Sequence, residues 1–268
     1  MVGTVGRGSS APTNLPGRGR FPLTRPEADI KRCLALALAL GHQRRTALNP
    51  AGYERLQSQV IPGYGSLARL AVALLAASPV AAAPGAEVLV AGCGTGAELV
   101  EAVAQRPDWR LTAIDPSDEM LAESRQRLGE QPSIDWLQTT VEALVDGPGV
   151  AGRFDGALSV LVLQSLPDDG SKLAFLTALA RTLKPGAQLV LVDLMQTSLP
   201  SLEGQLEAAW VGFQQASGLA AEPGAPNQGL HPIGLARLTS LVNAAGFGDP
   251  ARVFQALGFE GFLLQRRA

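Results

Sequence analysis

The sequence predicts an α/β fold, a seven-stranded and mostly parallel sheet with helices on both faces and an antiparallel last strand. Three observations carry that prediction. The run Val88 to Ala91 shows no polar alternation, so it reads as a strand buried on both faces, and it stops abruptly at Gly92. From there to Asp193, strand-like and helix-like segments alternate, the signature of parallel strands joined by crossover helices. Two short β-rich runs, Ala251 to Ala256 and Gly261 to Gln265, then close the chain as a hairpin.

Residues 1–26 are rich in Gly, Pro, Ser and Arg and carry no acidic residue or periodic apolar pattern. Such a segment cannot repay the entropy of ordering, which predicts a disordered leader, with an organellar transit segment as the alternative. The run Cys33 to Leu40 is far shorter than the roughly 20 residues that span a bilayer. It predicts a short packed helix, so residues 1–48 are leader and helix and 49–268 the main domain. Helical patterns follow over Tyr53 to Val60 and Ser66 to Ala77, with Ser66 placed to cap the second and Ile61-Pro62-Gly63-Tyr64-Gly65 between them.

Beyond the first strand the expected order is a helix from Ala97 to Arg106, a strand from Arg110 to Ile114 closed by Asp115, and a helix capped by Ser117 reaching Leu128. Strands follow at Ile134 to Gln138 and Phe154 to Leu163. A helix from Asp168 to Leu183 leads through Lys184-Pro185-Gly186 to a strand from Ala187 to Asp193. A helix from Ser201 to Ser217, a Gly- and Pro-rich loop from Ala221 to Gly229 and a helix from Leu235 to Ala244 precede the hairpin.

Composition narrows the function classes. A chain of 268 residues that is 46% hydrophobic and 17% charged can bury a sizeable core. A net charge of −2 gives no general electrostatic reason to bind nucleic acid or an anionic membrane. Two cysteines, Cys33 and Cys93, and two histidines speak against a disulfide framework and a structural zinc site, and point to a reducing, cytoplasmic compartment.

The chemistry concentrates after the first strand. Gly92, Gly94 and Gly96 alternate with Cys93 and Thr95, so the backbone turns sharply and a ligand can approach where a β-carbon would clash. The helix that follows turns its free N–H groups to the same spot. The spacing is neither the G-x-G-x-x-G of dinucleotide turns nor the Gly-Lys-Ser/Thr ending of a P-loop.

Gly-x-Gly-x-Gly after a buried strand, with Asp115 closing the next strand, resembles the first motif of class I S-adenosylmethionine-dependent methyltransferases, a Rossmann-like fold. Ile114-Asp115-Pro116-Ser117, Phe154-Asp155-Gly156-Ala157-Leu158-Ser159 and Leu183-Lys184-Pro185-Gly186-Ala187 resemble later motifs in their proper order. Within the superfamily, Ile61-Pro62-Gly63-Tyr64, Leu163-Gln164-Ser165-Leu166 and Ala245-Gly246-Phe247 are similar to carboxy-S-adenosylmethionine synthases of wobble-uridine modification and their small-molecule methyltransferase relatives. The resemblance implies S-adenosyl-L-methionine as cofactor, held by Tyr64, Gly92, Cys93, Gly94, Gly96, Asp115, Pro116, Thr140, Val141 and Val160, with Asp115 on both ribose hydroxyls.

Two departures stand out. The first strand carries Val90 where the family often has an acid, and Thr139-Thr140 replace a frequent Gly-Asp. The Thr140 hydroxyl is the expected partial substitute at the adenine edge. The synthases' carboxylate-holding arginine is Leu241 here, with Arg237 one turn earlier on the same face.

The expected activity is therefore methyl transfer to an unidentified small molecule. The alternatives are a carboxy-S-adenosylmethionine synthase-like enzyme and a catalytically silent cofactor-binding protein. Acceptor specificity is expected from a lid over about residues 194–232, where Trp210 and Phe213 read as anchors of the helix. No catalytic residue is assigned: His231 and Asp193 are the two candidate bases, each with a plain structural alternative. No metal, membrane or direct nucleic-acid partner is expected, and a homodimer is left open.

Overall fold

The computed structural model describes residues 1, 3, 50–197, 199–219 and 230–268. The expected leader beyond residue 3, the helix over Cys33 to Leu40 and the loop from Ala221 to Gly229 lie outside the described residues. Two helices, α1 (Pro50–Val60) and α2 (Tyr64–Ala76), precede β1 (Glu87–Ala91). Then come α3 (Ala97–Gln105), β2 (Arg110–Asp115), α4 (Asp118–Leu128), β3 (Ile134–Gln138), the short α5 (Val141–Val145) and β4 (Phe154–Val160). The chain continues through α6 (Ser171–Thr182), β5 (Leu183–Leu194), α7 (Glu203–Ala216) and α8 (Leu235–Ala245) to β6 (Ala251–Ala256) and β7 (Phe259–Gln265).

The strands form one sheet in the order β3-β2-β1-β4-β5-β7-β6. The first five are mutually parallel, and β7 runs antiparallel between β5 and β6. The order reverses between β1 and β4, the place where open α/β sheets leave a crevice beyond the carboxyl ends of their strands. Central strands are apolar on both sides because both faces are covered: Val88 and Val90 pack into one cluster with Leu67, Leu75 and Leu99, and Leu89 and Ala91 into another with Leu176, Leu179 and Leu241.

Several boundaries differ from the sequence expectation for identifiable reasons. Helix α2 begins at Tyr64, so Ser66 lies inside its first turn and does not cap it. Gly63, at φ 82, turns the chain straight out of the Ile61-Pro62 bend into the helix. Strand β4 stops at Val160 and not Leu163, because Leu161 enters the left-handed region at φ 61 and Leu163–Ser165 coil into a 3-10 turn. Helix α6 starts at Ser171 and not Asp168, since Asp169 Oδ1 accepts the Ser171 backbone N–H at 3.1 Å and its hydroxyl at 2.7 Å. Strand β5 starts at Leu183, which pairs with Phe154. The register then shifts before Gly156 meets Gln188, and Lys184 reaches Asp155 Oδ1 at 2.6 Å. Ser117 caps α4 as expected, accepting the Met120 N–H at 3.3 Å.

Candidate active site

The glycine turn is built by three glycines doing three different jobs. All have positive φ: 73 at Gly92, 52 at Gly94 and 84 at Gly96. A β-carbon at Gly92 would strike Val162, and one at Gly96 would strike Ser124 and Leu128 of α4. At Gly94 it would meet nothing within 4 Å, so this residue faces open space. The turn is tied to the neighbouring strand because Gly92 and Cys93 both donate to Ile114 O, at 2.8 and 2.9 Å.

Asp115 is 8% exposed and closes β2 beside this opening. Its Oδ2 accepts the Gly94 N–H at 3.0 Å and its Oδ1 the Ser117 N–H at 2.9 Å. A carboxylate has about four acceptor positions, so these two bonds aim the group without exhausting it. Gly92, Asp115, Thr140 and Val160 all stand at the carboxyl ends of β1 to β4, and Tyr64 reaches the same region from α2, packed against both neighbouring apolar clusters. Pro116 is exposed, Val141 is buried, and Val160 is half-buried. Thr140 Oγ1 caps α5, accepting the Ala143 N–H at 3.3 Å, which leaves its O–H free to donate.

A second layer was not foreseen. Glu54, on α1, accepts from Thr95 Oγ1 at 2.6 Å, pairs with Arg127 at 3.0 Å and takes the Tyr64 hydroxyl at 3.4 Å. Nothing in the sequence marked this link, since Glu54 lies 41 positions before Thr95 and sits in an ordinary helical pattern. Glu98 is buried one turn away. Burial pushes its carboxyl up to about 7, with Glu54 adding to the rise and its own backbone N–H and Arg127 opposing it. Burial, helped by Asp115 and Glu98, also raises the Cys93 thiol, and burial with Glu54 and Glu98 raises the Tyr64 phenol. Both stay protonated near neutrality, so neither is an activated nucleophile. Asp115 and the Glu54–Arg127 pair flank the turn, with Arg125 acting on Cys93 and Glu98 kept largely uncharged by burial. The Asp115 carboxylate, which takes the Gly94 N–H, suits hydroxyls and disfavours the phosphates that glycine turns elsewhere bind.

On the other side of the switch point, Asp193 at the end of β5 is 1% exposed and enclosed. It accepts the N–H groups of Leu163 at 2.8 Å, Gln164 at 2.9 Å and Leu194 at 3.1 Å. Buried Lys172 donates to Leu163 O at 2.5 Å, so the two charges grip one peptide from opposite sides. Burial pushes the Asp193 carboxyl up and the Lys172 ammonium down. Of its two readings as a sequence, the cap and not the base describes Asp193. The His231 side chain is exposed, and its backbone N–H donates to Gln164 O at 2.6 Å, so it braces the same loop through its main chain.

The candidate carboxylate-holding substitute is bonded elsewhere. Arg237 is closed on Asp168 by two bonds of 2.9 Å at the surface, and Leu241 is buried in the core. Trp210 anchors α7 as expected, donating from Nε1 to Val60 O at 2.5 Å and standing edge-on to Phe259 at 5.7 Å. Among the described residues, no group of three or more His, Cys, Asp or Glu is placed to hold a metal ion, and no single helix is long and apolar enough to cross a membrane.

A family model described as a methyltransferase domain matches residues 88–186. The chain is 37% identical over 110 residues to a ubiquinone biosynthesis O-methyltransferase of Hahella chejuensis, covering 41% of this chain and 43% of that protein. It is 35% identical over 106 residues to a trans-aconitate 2-methyltransferase of Azoarcus sp., covering 40% and 38%. The chain thus spans less than half the length of these curated relatives. Among solved structures, it resembles the Burkholderia thailandensis 1,6-didemethyltoxoflavin-N1-methyltransferase with bound S-adenosylhomocysteine, with a TM-score of 0.54 and 21% identity over 96% of this chain and 95% of that one. It also resembles human N-acetylserotonin methyltransferase in complex with S-adenosylmethionine, with a TM-score of 0.55 and 17% identity over 88% and 67%.

Proposed function

We propose that the chain, whose residues 88–186 match a methyltransferase domain, is a class I S-adenosylmethionine-dependent methyltransferase that transfers a methyl group from S-adenosyl-L-methionine to a small molecule. The observation that carries the reading is the pairing of Gly94, which faces open space, with a buried Asp115 that keeps acceptor capacity to spare. Asp115 would hold the ribose hydroxyls, and the backbone at Gly92, Cys93, Gly94 and Gly96 would lie against the methionine part. Pro116, Thr140, Val141 and Val160 would border the nucleoside, with Tyr64 over it. The Asp115 carboxylate beside the turn favours a cationic sulfonium nucleoside over a dinucleotide.

The cofactor supplies a methyl group already activated by a positive sulfur. When bound, it would offer its methyl carbon to a lone pair of the acceptor, with sulfur keeping the electron pair of the carbon–sulfur bond. The protein's part is alignment and exclusion of water, which agrees with a site whose thiol and phenol stay protonated. Acceptor choice falls to α1, α7 and the segment over about residues 194–232. Calorimetric titration with S-adenosylhomocysteine tests the reading: saturable one-to-one binding that Asp115→Ala weakens supports it, and absence of binding removes it.

A further inference from the structure

We propose that Lys172 is a positioning residue for the cofactor site: with Asp193, its buried ammonium fixes the loop after β4 so that Val162 stands behind Gly92. The proposal rests on the methyltransferase reading and adds to it a residue that acts through its neighbours. Lys172 lies on α6 and is 1% exposed. Burying opposite charges is costly, and apolar side chains of similar volume often leave a fold as stable or more so. A lysine kept at this depth therefore points to the geometry it enforces.

That geometry is the course of one peptide. Lys172 Nζ donates to Leu163 O at 2.5 Å, while Asp193 takes the N–H of Gln164 at 2.9 Å and that of Leu163 at 2.8 Å. The Leu163–Gln164 peptide is thus held at both ends, its oxygen by a cation and its N–H by an anion. The residue leading into it needs such support. Leu161 sits at φ 61, in the left-handed region that a leucine occupies only where its surroundings over-determine it, and its N–H is tied to Val192 O at 2.7 Å. Between Leu161 and the held peptide lies Val162, one of whose methyl groups fills the space a β-carbon at Gly92 would need. The turn that carries Gly94 consequently rests on a loop whose shape Lys172 and Asp193 set. The same loop ties down the segment expected to choose the acceptor, since Gln164 O accepts the His231 N–H at 2.6 Å and Gln164 Oε1 the Leu194 N–H at 3.1 Å.

The test is titration of the full chain with S-adenosylhomocysteine, for Lys172→Met, Val162→Ala and the two combined, at a temperature where circular dichroism shows each variant folded. Lys172→Met is expected to weaken binding about tenfold and Val162→Ala about fivefold, with the combination no weaker than about tenfold, because both act by one route. A lysine that only stabilises the fold would lower the unfolding midpoint and leave the affinity of the folded protein unchanged, and that result overturns the proposal. Losses that multiply in the combined variant also overturn it, since they separate Lys172 from Val162. Where Lys172→Met does not fold, the paired Lys172→Met and Asp193→Asn, which buries no charge, carries the same comparison. Unchanged affinity in that pair, or in Val162→Ala alone, overturns the proposal as well. If the wild-type chain does not bind S-adenosylhomocysteine, the methyltransferase reading fails first.

Discussion

Asp115 and Asp193 occupy matching places on either side of the sheet's switch point, each a buried aspartate ending a parallel strand, yet they do opposite things. Asp115 accepts two backbone N–H groups and stands beside a glycine that faces open space. Asp193 accepts three and is sealed against Lys172 through the Leu163 peptide. One carboxylate is aimed and left with capacity for a ligand, and the other is consumed in holding the loop whose Val162 backs the glycine turn. Residue type and topological position therefore do not assign a role; whether the remaining acceptor positions stand beside open space does.

The comparison breaks most readily at the sealed aspartate. Asp193→Ala leaves the Leu163 and Gln164 N–H groups without their acceptor and the buried Lys172 ammonium without its counter-charge, and should cost about 3 to 5 kcal/mol in chemical denaturation. A near-native unfolding curve would show that the loop does not need the charge. The next effect is in pH. Glu98 titrates at about 7 against an ordinary value of 4.5, so between those values the folded chain binds more protons than the unfolded one. Its contribution to stability then falls as pH rises through that window, by about 3 kcal/mol at roughly 1.36 kcal/mol per unit. The difference between wild type and Glu98→Gln, read as unfolding midpoints from pH 4 to 8, should move in the variant's favour at the upper end. A constant difference would mean the carboxyl is not held protonated.

Asp115→Ala should leave a folded protein and weaken S-adenosylhomocysteine by about 1 to 3 kcal/mol, measured calorimetrically. An unchanged dissociation constant would make the two aspartates alike and both structural. The smallest effect belongs to Arg237→Ala. Its ion pair with Asp168 is at the surface, so neither the unfolding midpoint nor cofactor affinity should shift measurably. A loss of affinity there would revive the carboxylate-holding role.

Strand β3 ran over Ile134–Gln138 as expected and Ser117 capped α4, because these are set by local patterns: apolar runs, glycines and capping hydroxyls within a few residues of one another. Asp115 as a site candidate was legible for the same reason, being the residue that ends an apolar strand. The Glu54–Thr95 contact and the Lys172 grip on Leu163 were not legible. Each sits in a helical pattern that looks like any solvated or packed face until a distant element is laid against it.

The end of β4 teaches the same lesson from the backbone. Its apolar run continues to Leu163, so periodicity extends the strand, whereas Asp193, thirty residues on, takes the Leu163 and Gln164 donors and curls the chain after Val160. By itself the sequence determined the order of elements, the glycine turn and the family resemblance, since those follow from short-range sterics and the burial of apolar runs. Only the tertiary structure decided which aspartate is spent and which is open, because that depends on hydrogen-bond partners brought together across the sheet.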